Sequence, residues 1–187
     1  PLSRTRRVIT ALVLPSFLLA WRWPFLFAAH EYNPDESQLI AGALTLAHDP
    51  VFWRSVDGTT SGPLNFYALL PLHLIGAPMD YFMARLTGLL LIWVALLGCE
   101  RLVRSVYSPA VARLSLFPAA VFFAAAIETD FIHYSSEHVS LMLTGLAAGL
   151  IASRRADDTR YGSLWLAGGA VAGMLPWAKL QAGPIGA

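Results

Sequence analysis

The sequence predicts an all-α protein: a polytopic bundle of transmembrane helices with interfacial helices in its first outer loop. Three observations predict it. Of the 187 residues, 56% are hydrophobic and only 13% are charged, where a soluble domain carries about 25% charged residues. The apolar residues gather in runs near the ~20 that a membrane-spanning helix needs. The basic residues, finally, sort to one side of those runs. So little charge cannot cover a water-facing surface, so lipid is the expected solvent for the rest.

The first span is expected over residues 8–27, behind Arg4, Arg6 and Arg7. It reads as a retained helix rather than a cleaved signal, because no small-residue cleavage site with a soluble domain follows it. Its far end carries Trp21, Arg22 and Trp23, a pattern that suits an interfacial aromatic belt with a snorkelling arginine. An outer loop occupies residues 30–80, and further spans follow over 81–97, 111–127, 139–152 and 163–178. The fourth is short, about 21 Å at the helical rise against a ~30 Å hydrocarbon core. Its helix is therefore expected to start earlier and to bring Glu137 and His138 to membrane depth.

Placing the N-terminus inside puts Arg4, Arg6, Arg7, Arg101, Arg104, Arg113, Arg154, Arg155 and Arg160 on the inner side. Only Arg22, Arg54, Arg85 and Lys179 then fall outside. This is the positive-inside pattern. Most acids and all five histidines (His30, His48, His73, His133, His138) lie on the outer side. The outer face therefore holds most of the groups able to do acid–base or metal chemistry. Cys99 stands alone, and a single thiol in an apolar stretch behaves as a small hydrophobe.

The outer loop has structure of its own. Asn33-Pro34-Asp35-Glu36 is a helix start, with Asn as N-cap, Pro at the first position and acids in the first turn. Leu39, Ile40, Ala43, Leu44 and Ala47 recur at helical spacing, predicting an amphipathic helix over 34–48. After the turn-rich stretch 57–63, residues 64–75 are apolar but too short to span, which suits an interfacial or re-entrant helix. Gly145-x3-Gly149 and Gly169-x3-Gly173 read as close helix-packing motifs.

Several groups carry candidate chemistry. Asp35 and Glu36 form a carboxylate pair that can serve as a general base or simply as a capping box and dipole partner. Glu128, Asp130 and His133 can bind a divalent metal or be ordinary loop residues. Glu137 and His138 can be functional groups at depth or a first helical turn behind a serine cap. Arg85 within the second span, Lys179 at the end of the fifth and Arg54 are candidate anion partners, with snorkelling as the plainer reading. There is no phosphate-binding glycine loop, zinc-ligand spacing or serine-nucleophile elbow. The scattered arginines argue against a nucleic-acid partner.

The layout of one span, a large outer loop with an acidic pair near its start, an amphipathic helix, a Gly-Pro-Leu-containing re-entrant helix and a span bearing Ala84-Arg85-Leu86 resembles a known family. It is similar to the N-terminal part of the GT-C fold polytopic glycosyltransferases, within the protein O-mannosyltransferase and aminoarabinose transferase superfamily. The residues carrying the resemblance are Asn33-Pro34-Asp35-Glu36-Ser37-Gln38, Ser61-Gly62-Pro63-Leu64-Asn65-Phe66-Tyr67 and Tyr134-Ser135-Ser136-Glu137-His138. The resemblance covers residues 1–187 as a layout, and a chain that begins without Met and stops just after an apolar helix is expected to be part of a longer protein.

The resemblance implies an inverting single displacement. A sugar moves from a polyprenyl-phosphate donor to a glycan, lipid or protein acceptor on the outer face. Asp35 matches the first-loop catalytic carboxylate, with Glu36 beside it. Arg54, Arg85, Glu137, His138 and Lys179 are expected at the substrate and its phosphate, and Glu128, Asp130 and His133 at a divalent ion, magnesium or manganese. Glu128-Thr129-Asp130 departs from a plain Asp-x-Asp. The expected location is a bacterial inner (plasma) membrane, with the N-terminus cytoplasmic and the active face periplasmic. Two readings from other classes stand beside it: a transporter or channel module, and a non-catalytic membrane scaffold subunit.

Overall fold

Helix α5 (Tyr81–Val106) makes its most extensive packing along α8 (Ser136–Ile151). The computed structural model describes residues 4–58, 60–153 and 161–182, and those residues are all-helical, with no strand among them. Before α5 come α1 (Arg4–Leu26), α2 (Pro34–His48), α3 (Pro63–Tyr67) and α4 (Leu70–Leu74). After it come α6 (Pro109–Ala125), α7 (Thr129–Ile132), α8 (Ser136–Ile151), α9 (Tyr161–Gly173) and α10 (Leu175–Ala178), then a 3₁₀ turn at Leu180–Ala182. The expected cluster Arg154, Arg155 and Arg160 lies outside the described residues.

Among the described residues, α5 alone is long and apolar enough to cross a membrane by length and composition. Leu12–Leu26, Pro109–Ala125 and Ser136–Ile151 are apolar but shorter. The outward faces are apolar as well: Leu12, Val13, Trp21 and Trp23 on α1, Leu114, Phe117 and Phe122 on α6, and Trp165 and Leu166 on α9 are all exposed.

Local chemistry explains the helix ends. The Asn33 side chain accepts from the Asp35 N–H at 3.0 Å, and Pro34 opens α2 without wasting a donor. Asp80 caps α5 through the Met83 N–H at 2.9 Å. Ser135 caps α8, and His138 Nδ1 reaches back to the Ser135 N–H at 3.2 Å, a capping box closed by histidine. The cap starts α8 at Ser136, three residues before the predicted span, and gives 16 residues, about 24 Å of helix.

Two apolar runs read as single helices are broken. Residues 64–75 form α3 and α4, because Pro71 has no N–H to donate to Tyr67 and its ring crowds that carbonyl. The last run splits into α9 and α10 ahead of Pro176 for the same reason.

Backbone contact fixes the α5–α8 crossing. A Cβ on Gly145 would lie 2.5 Å from the Ala95 carbonyl oxygen, and one on Gly149 2.7 Å from that of Gly98. The Gly145-x3-Gly149 expectation therefore describes a real crossing. The second motif is off by one residue. Gly169 and Gly173 face open space, while Gly168 meets Ile151 and Ala147 of α8. Leu39, Ala43 and Leu46 of α2 bury against Phe52, Phe66 and Tyr134. A second cluster, with Leu18, Ile92, Leu116 and Phe123, joins α1, α5 and α6.

Candidate functional site

Four of the polar groups singled out in the sequence form two ion pairs of opposite character, one between α2 and α5 and one between α8 and the residue after α10. In the first, Arg85 Nε donates to Glu36 Oε1 at 2.7 Å and Nη2 to Oε2 at 2.7 Å. Both side chains are 0% exposed. Arg85 Nη1 also donates to the carbonyls of Phe25 (3.0 Å) and Ala28 (2.7 Å), and Nη2 to that of His30 (2.7 Å). The Tyr32 ring lies 4.4 Å from the guanidinium carbon and the Tyr81 ring 5.2 Å. A guanidinium has five N–H donors, and all five are committed. Glu36 accepts in addition from the backbone N–H groups of Tyr134 (3.4 Å) and Tyr32 (3.5 Å).

This geometry changes the reading of two predicted residues. Arg85 has no donor left for a substrate phosphate, and Glu36 has no room to act as a base. Together they pin the end of α1 and the start of α2 to α5. Glu36 also reaches past Asn33 to Tyr32, so the expected capping box is not closed at α2.

The second pair joins Glu137 of α8 to Lys179, just after α10. It is partly open, with side-chain exposures of 41% for Glu137 and 24% for Lys179. The two pairs are wired together. Tyr134, whose N–H meets Glu36, donates its buried hydroxyl to the Asn65 carbonyl at 2.6 Å. Asn65 Nδ2 donates to the Ala178 carbonyl at 2.6 Å, and the Gly62 N–H joins it at 2.9 Å. Lys179 follows in the chain. Burial pushes the Tyr134 phenol well above its usual range. It therefore serves as a fixed donor. Tyr134 and Asn65 were quoted in the sequence without a role, although an Asn inside an apolar run is itself a signal.

Asp35 differs from its neighbour. Its backbone N–H is held by Asn33, but its side chain is exposed and, among the described residues, its carboxylate bonds to nothing. Arg54 pairs with Asp49 on the surface; the Arg54 hydrogen bond and charge hold the Asp49 carboxyl below its ordinary range. His138 is buried at the α8 cap, stacked on Tyr134 at 5.8 Å and packed against Gly88. Its Nδ1 is taken by the helix start, and its ring lines a small cavity beside Arg22.

The expected metal set does not assemble. Among the described residues no three His, Cys, Asp or Glu groups converge to hold an ion. His133 is buried, with Nδ1 against the Tyr134 carbonyl at 2.7 Å and Nε2 3.7 Å from Asp130 Oδ1. Glu128 points to the exterior. As placed, His133 and Asp130 make a pair rather than a three-ligand set.

Arg22 corrects another expectation. It is 2% exposed rather than snorkelling outward, and its Nε donates to the Phe123 carbonyl at 2.7 Å. With His133 and His138 it lines a cavity of ≈ 10 Å³, room for one water. Sequence reading also missed Trp53. It takes φ +64°, which is rare for a bulky residue, and presents its indole 6.1 Å from that of Trp177.

No family model, curated protein or solved structure matches the chain.

Proposed function

We propose that this chain is the N-terminal membrane part of a glycosyltransferase that takes a sugar from a polyprenyl-phosphate donor on the outer face of a bacterial inner membrane. In this reading α1, α5, α6, α8 and α9 are transmembrane, while α2, α3 and α4 form an interfacial cap. The apolar outward faces of α1, α6 and α9 support a lipid solvent, since contiguous exposed apolar surface is costly in water.

The observation that carries the enzymatic reading is the contrast between adjacent carboxylates. Glu36 is locked to Arg85, while Asp35, fixed on the same capped first turn, is exposed and unbonded among the described residues. A rigid backbone presenting one open carboxylate is what a general base requires. The acceptor hydroxyl or amine attacks the sugar C1. The C1–acceptor bond forms as the C1–O bond to phosphate breaks, polyprenyl phosphate leaves with the electron pair, and the acceptor proton passes to Asp35. In this reading Lys179, partly exposed beside Glu137, meets the departing anion.

The test is Asp35→Asn in the full-length parent protein, with lipid-linked sugars as donors. Turnover is expected to fall by about 10²–10⁴-fold while donor binding is retained. Wild-type turnover in the variant removes Asp35 as base. Failure of the wild type to bind any lipid-linked sugar turns the reading toward a transporter or scaffold.

A further inference from the structure

Trp53 stands out as the non-glycine residue with positive φ among the described residues, at +64°. A left-handed backbone is unfavourable for a bulky residue, and strain of this kind gathers at ligand clamps. Burial does not account for it, because the side chain is 67% exposed. The turn is held by its own bonds, from the Trp53 N–H to the Val56 carbonyl at 3.1 Å and from the Arg54 N–H to the Val51 carbonyl at 3.2 Å. Phe52 sets the indole edge-on at 5.0 Å.

The indole faces a second exposed one. Trp177, 54% exposed on α10, has its ring centroid 6.1 Å from that of Trp53, with the planes inclined at 59°. The backbone of α10 is tightly placed. A Cβ on Gly62 would meet the Trp177 carbonyl carbon at 2.6 Å, and the next carbonyl, Ala178, accepts from Gly62 and Asn65. Two residues beyond Trp177 lies Lys179, paired with the half-exposed Glu137. An aromatic corner therefore lies at the end of α10, close in sequence to the partly exposed Lys179.

We infer that Trp53 and Trp177 form a stacking platform for the pyranose ring of a sugar phosphate, with Lys179 receiving the phosphate. This rests on the glycosyltransferase reading for its biological substrate, but not for its chemistry. An indole face binds the apolar C–H face of a pyranose, and a cation beside it binds the anionic group on C1.

The experiment uses the full chain in nanodiscs and a soluble glycosyl-1-phosphate, with Trp fluorescence and calorimetry as readouts. Wild type is expected to bind the sugar phosphate, Trp53→Ala to weaken it about tenfold, and Trp53→Phe to keep most of the affinity. In the parent enzyme, Trp53→Ala is expected to raise the donor KM with kcat little changed. Equal affinity in wild type and Trp53→Ala, at equal thermal stability, overturns the platform and leaves two interfacial tryptophans. Binding that needs Trp53, without turnover of any donor by wild type, keeps the platform and rejects the enzyme. Trp53→Phe as weak as Trp53→Ala overturns stacking as the cause.

Discussion

Glu36–Arg85 and Glu137–Lys179 are both carboxylate–cation pairs that tie distant parts of the chain together, and their surroundings give them opposite characters. The first is fully buried, doubly hydrogen-bonded and completed by three backbone carbonyls. The second is partly open and has no such shell among the described residues. A cation with every donor committed is a clamp. A cation held by one half-exposed carboxylate can exchange that partner for a substrate anion. The sequence offers both as intramembrane or membrane-end cations, and what separates them is the number of acceptors each one meets.

The largest effect expected from breaking the contrast is at the clamp. Arg85→Met leaves Glu36 buried and unpaired, and loss of one member of a buried pair costs about 3–5 kcal/mol. Glu36→Leu leaves the guanidinium in the same position and should cost a similar amount. The double variant should lose less than the sum of the two single losses, by at least ~2 kcal/mol of coupling. It should not return to wild type, because the carbonyls of Phe25, Ala28 and His30 lose their donor as well. Denaturant unfolding in detergent measures all four corners. Additive losses would mean that the two residues stabilise the fold independently.

A smaller effect separates strain from packing beside the open pair. Trp53→Gly and Trp53→Ala remove the same indole, but only glycine relaxes at φ +64°. The glycine variant should be the more stable of the two by about 1 kcal/mol, even after the added chain entropy of glycine. If the alanine variant is equally stable, the left-handed turn carries no strain and loses its interest as a built feature.

What the sequence made legible follows from what is local. The bounds of α2 match the expectation at both ends, because Asn33, Pro34 and the first-turn acids specify the start within four residues. The early start of α8 was likewise readable from its length deficit and from Ser135. The Pro breaks were missed because hydropathy is continuous through Pro71 and Pro176, although the lost N–H is decisive. Arg22 was placed at an interface because Trp21 and Trp23 flank it. Its actual partner, the Phe123 carbonyl, is 101 residues away, and nothing local points there. Glu36 and Arg85 were each recognised, but as separate chemical groups. Their pairing across 49 residues, and the linking roles of Tyr134 and Asn65, exist only once α2, α5 and α8 meet.

The smallest stability effect is expected where the functional effect should be largest relative to it. Lys179→Ala removes a partly exposed ion pair, a change worth about 0–1 kcal/mol. Glu137 is then left at 41% exposure, where solvent can hydrate it. If Lys179 meets the donor phosphate, the same substitution removes a charge-assisted hydrogen bond worth about 1.5–3 kcal/mol, or roughly 10–100-fold in kcat/KM. Lys179→Arg should recover part of that loss, since it restores the cation in a bulkier form. Thermal unfolding and donor kinetics on the same three proteins give both numbers. A stability loss above ~2 kcal/mol would make the second pair another clamp and erase the contrast with Arg85. Unchanged stability with unchanged kinetics would keep the contrast but move the phosphate elsewhere. Unchanged stability with a large kinetic loss would mark the open pair as the one that gives up its partner to substrate.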